Sequence, residues 1–225
     1  MSEDLSTGSD AAHVYGSLRV TAGAVTLRAV PWADIERYAH LVSVGLFAPG
    51  ETPTIGPWYD PDDLVTSGRR LVGYHLSRWA NLSPHDWALD FGIYVDEALI
   101  GRQVMETDDF LRTRTVRTGS FLIPKERGHG YGKQARAAIL HLAFDVLGAQ
   151  LAKTAALPNN SASRGVSLAL GYSEVGLKTV MAGGRPYEVE RFWLERDRWE
   201  KSALPWPVAT IGAEPLLRLL GIAAR

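Results

Sequence analysis

The sequence predicts an α/β chain of the α+β kind, with antiparallel hairpins beside strand–helix units. Three observations carry this expectation. Two stretches with apolar residues at helical spacing come early, strand-period runs joined by turns fill the middle, and a glycine-rich loop then joins a strand directly to an amphipathic helix. The 225 residues, 46% apolar and 22% charged, suit one domain of somewhat above typical size, or at most two small ones. With 24 Lys and Arg against 25 Asp and Glu, the net charge of -1 argues against nucleic acid as a partner. The absence of cysteine excludes a disulfide scaffold, a thiolate nucleophile and an iron–sulfur ligand set. No stretch approaches the roughly 18 consecutive apolar residues of a membrane span, and the acidic opening MSEDLSTGSDAAH is unlike a secretory signal. The expectation is a cytoplasmic protein with no membrane partner.

In chain order, residues 1–24 read as an N-terminal tail and Val25 to Arg28 as a short strand. The segment after Pro31 is helical through Ile35, Tyr38, Leu41 and Val42. FAPGETPTIGPWYDPDD, with four prolines, reads as a long irregular loop, and long loops in compact domains are often functional. A second helix is expected near Leu64 to Trp79. WALDFGIYV and LIGRQVMET then form a hairpin turning at Asp96 to Ala98, and VRTGSFLI is a third run that stops at Pro124. A helix from about Lys133 to Leu147 carries a buried stripe of Ala135, Ala138, Ile139, Leu142, Ala143 and Val146 and closes at Gly148. The strand QLAKTAAL and a helix from Ser161 to Leu170 follow, and two more strands meet at Gly183 and Gly184. The domain is expected over residues 25–200. The apolar, proline-interrupted extension 201–225 reads as packed on the body or partly disordered, the alternative being a lip over the site or a homodimer contact.

The chemistry centres on FLIPKERGHGYGKQARAAIL. Glycines at 128, 130 and 132 permit positive φ and close backbone approach, the helix start offers free N–H groups, and Arg127 and Lys133 add charge, which together suit a phosphate. Two phosphate-binding patterns fail here. A Walker A loop would need glycine and Ser or Thr where Arg127 and Gln134 stand. A dinucleotide fingerprint would need G-x-G-x-x-G and an acidic residue after the next strand, which instead ends Leu157-Pro158-Asn159-Asn160. An R-G-x-G-x-G loop between strand and helix resembles the pyrophosphate loop of the GNAT N-acetyltransferases. Asn160, Ser163, Gly171 and Tyr172 resemble that family's later motif, and the element order is similar from about Val25 to Glu200. The detail is closest to the branch of the RimJ and RimL ribosomal-protein acetyltransferases. Within it, TGSFL, GHGYG, RAAILHLAF and NNSASRGVS resemble a subgroup described as succinyl-CoA transferases. Phe121 departs from the tryptophan of that pattern, and Lys133-Gln134 from its Thr-Glu.

The resemblance implies a GNAT fold: a mixed sheet of about seven strands whose two central strands splay, with flanking helices. It implies an acyl-CoA co-substrate, acetyl-CoA or another short acyl-CoA such as succinyl-CoA. Leu122 and Ile123 would meet the pantetheine and thioester, and one N–H there would stabilise the oxyanion. Arg127, Gly128, His129, Gly130, Tyr131, Gly132 and Lys133 would hold the pyrophosphate. Asn160 would touch pantetheine as well as cap its helix, and Ser163, otherwise an ordinary first-turn serine, would meet the sulfur. Ser167 stands where many relatives carry a tyrosine acid. An amine acceptor must lose a proton, so a base or water chain is expected. Glu106, Asp108 and Asp109, at the end of a central strand, are candidates, although such a cluster is also a solvated turn; His75 and His85 stand behind them. The aromatic set Phe47, Trp58, Tyr59, Trp79 and Trp87 reads either as the acceptor-side wall or as core. The spacing of the six histidines gives no metal-ligand pattern, so no metal is expected. A succinyl carboxylate would need a cationic partner, for which Arg102, Arg114 and Arg117 lie on suitable strands; acetyl needs none, so acetyl-CoA is the leading donor. The acceptor is expected to be an amine of a small molecule or of a peptide or protein N-terminus.

Overall fold

The computed structural model describes residues 13–43, 46, 58–60, 62–182 and 185–223. Phe47, Pro57 and the Gly183-Gly184 turn lie outside them. After a helical turn at 13–17, the chain forms β1 (Arg19–Ala22), β2 (Val25–Arg28), a 3-10 turn at Trp32–Asp34, α1 (Ile35–Ser43) and α2 (Leu64–Ala80). The hairpin of β3 (Asp86–Val95) and β4 (Ala98–Asp108) leads through α3 (Phe110–Thr113) to β5 (Thr115–Leu122). Next come α4 (Tyr131–His141), β6 (Leu151–Ala156), α5 (Ser161–Ala169), β7 (Ser173–Ala182), β8 (Arg185–Glu195) and α6 (Arg196–Glu200). The chain closes with β9 (Val208–Ile211) and α7 (Ala213–Leu219).

One sheet of nine strands runs in the order β7-β8-β6-β5-β4-β3-β2-β1-β9. The seven strands expected from sequence are all present. The two extra ones come from segments read as tail and extension: β1 pairs with β2 on one side and with β9 on the other. Residues 13–24 and 201–223 therefore build the edge of the sheet, and Leu216, Leu220 and Ile222 are buried there. RVTA stands in a segment that reads as tail and VATI in a proline-interrupted extension, and four residues give too little period to outweigh those surroundings.

Every neighbouring pair is antiparallel except β5 and β6. α4 packs its alanine-rich stripe over β1, β2, β4 and β5 in the main core, while α1 and α2 cover β3 and β4 from the other side. There Tyr38, Leu41, Val42, Leu71 and Trp58 form a second cluster with Phe121 and Ile123 at its border. The expected helix from Lys133 begins earlier, at Tyr131, and ends as a π-turn at Leu142–Val146, where the N–H of Leu147 bonds Leu142. Among the described residues no helix is long and apolar enough to cross a membrane.

Candidate active site

The site begins where two strands part. β5 and β6 are in register only at Thr115↔Leu151, Val116↔Ala152 and Arg117↔Lys153. Beyond these, β5 follows β4 as far as Gly101↔Leu122, while β6 follows β8 as far as Ala156↔Glu190. A split therefore opens from Thr118 onward, with unladdered backbone along its β5 side. Of the two residues expected at its mouth, Ile123 gives its N–H to the Ile100 carbonyl at 3.0 Å. Strand alternation turns the N–H of Leu122 the other way, towards the split.

The glycine-rich loop crosses this mouth. Gly128 and Gly130 both have φ of 83°, and nothing lies within 4 Å of where a side chain would start at either. L-residues rarely adopt that conformation, so glycine at 130 lets α4 start abruptly as its N-cap. Among the described residues the N–H groups from Gly128 to Gly132 meet no protein acceptor, while those of Lys133 and Gln134 bond the Gly130 carbonyl. A run of open donors at the positive end of α4 suits an anion. Arg127 bonds the Leu122 carbonyl through Nε at 3.2 Å and the Leu46 carbonyl through Nη2, tying the loop to the end of β5. His129 stacks on Tyr131, and Lys133 is exposed. Gln134 accepts the N–H of Ala24 at 2.9 Å, fastening the β1–β2 turn to α4.

Across the mouth stands α5. Asn160 caps it by accepting the N–H of Ser163 at 3.0 Å. A side chain built on Gly132 would touch Leu122 and Val166 at 3.7 Å, so β5, α4 and α5 converge here. Ser163 is half-buried in the first turn of α5. Ser167 is fully buried and spends its hydroxyl on the Ser163 carbonyl at 3.0 Å, an internal helix bond.

The acidic candidates separate. Arg102 and Glu106 alternate onto the sheet face that also carries their register partners Phe121 and Arg117. Glu106 lies beside the closing point of the split, in the register row Glu106, Arg117, Lys153, Trp193. Its carboxylate is 3.3 Å from Arg117, which also binds Asp108 at 2.7 Å and holds that carboxyl below the usual range. Asp109 lies past the strand end, paired with Arg112 at 2.6 Å, and is not gathered with Ser163 or the loop.

The aromatic set divides likewise. Trp58 is buried against Phe121, with ring centroids 5.6 Å apart, and against Tyr59 at 5.8 Å. Phe121, where the resembled subgroup pattern has tryptophan, is thus half of an aromatic pair at the site. Trp79, bonded to the Asp90 carbonyl at 2.7 Å, and Trp87, against Phe110, are core. His75 is fully buried, with Nε2 accepting the Val30 N–H at 3.4 Å, and His85 is exposed.

The arginines offered for an acyl carboxylate are engaged. Arg102 makes a two-pronged pair with Asp90 at 2.8 and 2.9 Å, Arg117 holds Glu106 and Asp108, and Arg114 lies 5.3 Å from the Phe110 ring centre. Sequence reading passed over Arg136, which points from α4 into the split and is 3% exposed. Its signal was available: it stands three and four residues before Ile139 and Leu140, on the stripe that the helix buries.

Residues 24–173 match the acetyltransferase (GNAT) domain family. Among solved structures, RimJ of Mycobacterium smegmatis, in complex with CoA-disulfide, is similar at 18% identity and TM-score 0.65, covering 92% of this chain and 95% of its own. RimL, a ribosomal alpha-N-protein acetyltransferase in complex with coenzyme A, is similar at 15% identity and TM-score 0.61, covering 78% of this chain and 96% of its own. The microcin self-immunity acetyltransferase MccE, in complex with acetyl-CoA and AMP, matches at 16% identity and TM-score 0.58, covering 76% and 92%. At these identities the likeness is one of fold.

Proposed function

Because the chain belongs to the acetyltransferase (GNAT) family, we propose that it transfers a short acyl group, acetyl first, from coenzyme A directly to a primary amine. The observation that carries this reading is the run of unpartnered N–H groups from Gly128 to Gly132 at the mouth of the β5–β6 split. The donor's diphosphate lies on those N–H groups with Lys133 nearby, and its pantetheine arm runs along β5 past Leu122 and Ile123, flanked by Asn160 and Ser163. RimJ, RimL and MccE, whose structures contain CoA or acetyl-CoA, share the fold. Acetyl-CoA is put first because an acetyl group needs no cationic partner and Arg102, Arg114 and Arg117 are each engaged elsewhere, which leaves Arg136, inside the split, as the arginine a succinyl carboxylate would have to reach.

The acceptor, an amine of a small molecule or of a peptide or protein N-terminus, approaches over the sheet face that carries Glu106, Arg117, Lys153 and Trp193. Lys153 rests 4.9 Å from the centre of the Trp193 ring. Glu106 takes the ammonium proton there. It is preferred to Asp109 because it borders the point where the split closes. The Leu122 N–H stabilises charge on the carbonyl oxygen, and Ser163 hydrogen-bonds the sulfur. With no cysteine in the chain, transfer needs no acyl-enzyme.

Thiol release from acetyl-CoA across a panel of amines and peptides tests this. The wild-type chain turns over with at least one amine. Glu106→Gln lowers kcat by about a hundredfold or more at neutral pH with donor affinity kept, and Ser163→Ala lowers kcat several-fold. Tight CoA binding with no turnover for any amine would favour a noncatalytic acyl-CoA sensor, the competing reading.

A further inference from the structure

Among the described residues, the split contains a buried cation with no carboxylate paired to it. Arg136 projects from the second turn of α4, donating from Nη1 to Thr154 Oγ1 at 3.1 Å and from Nη2 to Ser120 Oγ at 3.2 Å. Its Nε has no acceptor, and among the described residues no carboxylate pairs with it. Ser120 belongs to β5 and Thr154 to β6, so the guanidinium bridges the split just beyond the Arg117↔Lys153 closing pair. The groups around it are the Thr118 hydroxyl and carbonyl, the latter bonded by Thr154 at 2.9 Å, and the Tyr172 hydroxyl, 3.5 Å from Thr118 Oγ1. Tyr172, fully buried and with its phenol pushed up, is neutral at physiological pH. On the same sheet face Glu190, opposite Ala156 in register, has its carboxylate 3.7 Å from Arg164, and on the opposite face the row beside the split carries Glu106, Arg117 and Lys153. Hydroxyl dipoles do not neutralise a guanidinium, and a buried unpaired charge carries a penalty of several kcal/mol. Such a fork matches an anion entering the split.

We infer that Arg136 is the leaving-group residue, a cation that binds the coenzyme sulfur as it becomes a thiolate. The inference rests on the reading of the split as the acyl-CoA site. With the diphosphate at the mouth, the reactive end of the arm reaches the depth of Ser120 and Thr154. In the reaction the acceptor ammonium gives one proton to Glu106, the nitrogen lone pair forms the N–C bond, and the adduct nitrogen releases its second proton to solvent as the amide forms. The C–S bond breaks, and its electron pair stays on sulfur. The acceptor is cationic before it loses its proton and is repelled by Arg136; of the two anions the transfer forms, the carbonyl oxyanion is met by the Leu122 N–H, which leaves the thiolate for Arg136. With Arg136 carrying that charge, Ser163 serves as a hydrogen-bond donor and need not surrender its proton.

The chain has no cysteine, so bound CoA supplies the one thiol in a stoichiometric complex. Its titration is followed by thiolate ultraviolet absorbance and by alkylation rate against pH, with calorimetry reporting binding separately. On the wild-type chain the bound thiol titrates about one pH unit or more below free CoA, as thiols beside a guanidinium do. Arg136→Gln returns it to the free value, and Arg136→Lys keeps much of the lowering. A wild-type complex whose thiol titrates at or above the free value overturns the inference without any variant. So does a folded Arg136→Gln complex that titrates like wild type, or a preference for a carboxylate-bearing acyl-CoA with an unshifted thiol, which would assign the fork to the acyl chain. No CoA binding by the wild-type chain would overturn the acyl-CoA reading itself, and this inference with it.

Discussion

Beneath Trp58, Asp90 and Arg102 join two fully buried neighbours: the Tyr38 hydroxyl donates to Asp90 at 3.2 Å, and His75 Nδ1 lies 3.9 Å from it. Burial pushes the Asp90 carboxyl up, but Arg102 and His75 together hold it below the usual carboxylate range. A depressed carboxyl contributes stability that is complete above its unfolded value near pH 4 and is lost as pH falls through the lower folded value. Asp90→Asn strands the Arg102 guanidinium, so urea unfolding at neutral pH is expected to show a loss of about 3–5 kcal/mol, and the gap to wild type closes only below about pH 4. A loss under about 1 kcal/mol would mean that the pair is not buried as described. The network was only half legible in sequence. A charge within WALDFGIYV announces a partner, but β3 is buried along nearly its whole length, so alternation could not say on which face to look for it. Arg102 therefore read as available for an acyl carboxylate, whereas its fork is closed by Asp90.

Among the elements, the strand–loop–helix unit was the most legible. Glycines with positive φ at 128 and 130 act on the backbone, and backbone demands show directly in residue type. The parting of β5 from β6 was expected from the family likeness alone, because register is decided by partners distant in sequence. The crossing of α1 on α2 was equally hidden. It depends on Gly68, where an added methyl would lie 2.6 Å from the Ala39 carbonyl oxygen, backbone that no side-chain rotation can move aside. Gly68→Ala is therefore expected to cost about 1–3 kcal/mol in denaturant unfolding by forcing the helices apart, despite the better helix propensity of alanine. Unchanged or increased stability would show that the two helices do not cross this closely.

Over the whole molecule, the order of the strands and of the longer helices from Val25 to Glu195 followed from periodicity and turn chemistry, whereas the short helices Phe110–Thr113 and Arg196–Glu200 and the closure of the sheet edge did not. β1 and β9 are each four residues long and 186 positions apart at their Ala22↔Val208 pair, so neither carries a sign of the other in the sequence. What the whole fold provides, among the described residues, is a sheet that opens between its one parallel pair of neighbours, with open N–H groups at the mouth and Arg136 inside. The account stands on coenzyme A entering there, and amide NMR of the isotope-labelled chain titrated with CoA tests that most directly. The largest shifts are expected at the amides of Gly128, Gly130 and Gly132, with Leu122 and Ser163 following as the arm enters the split. Saturable CoA binding that leaves these amides unmoved, with shifts gathered elsewhere on the chain, would contradict it.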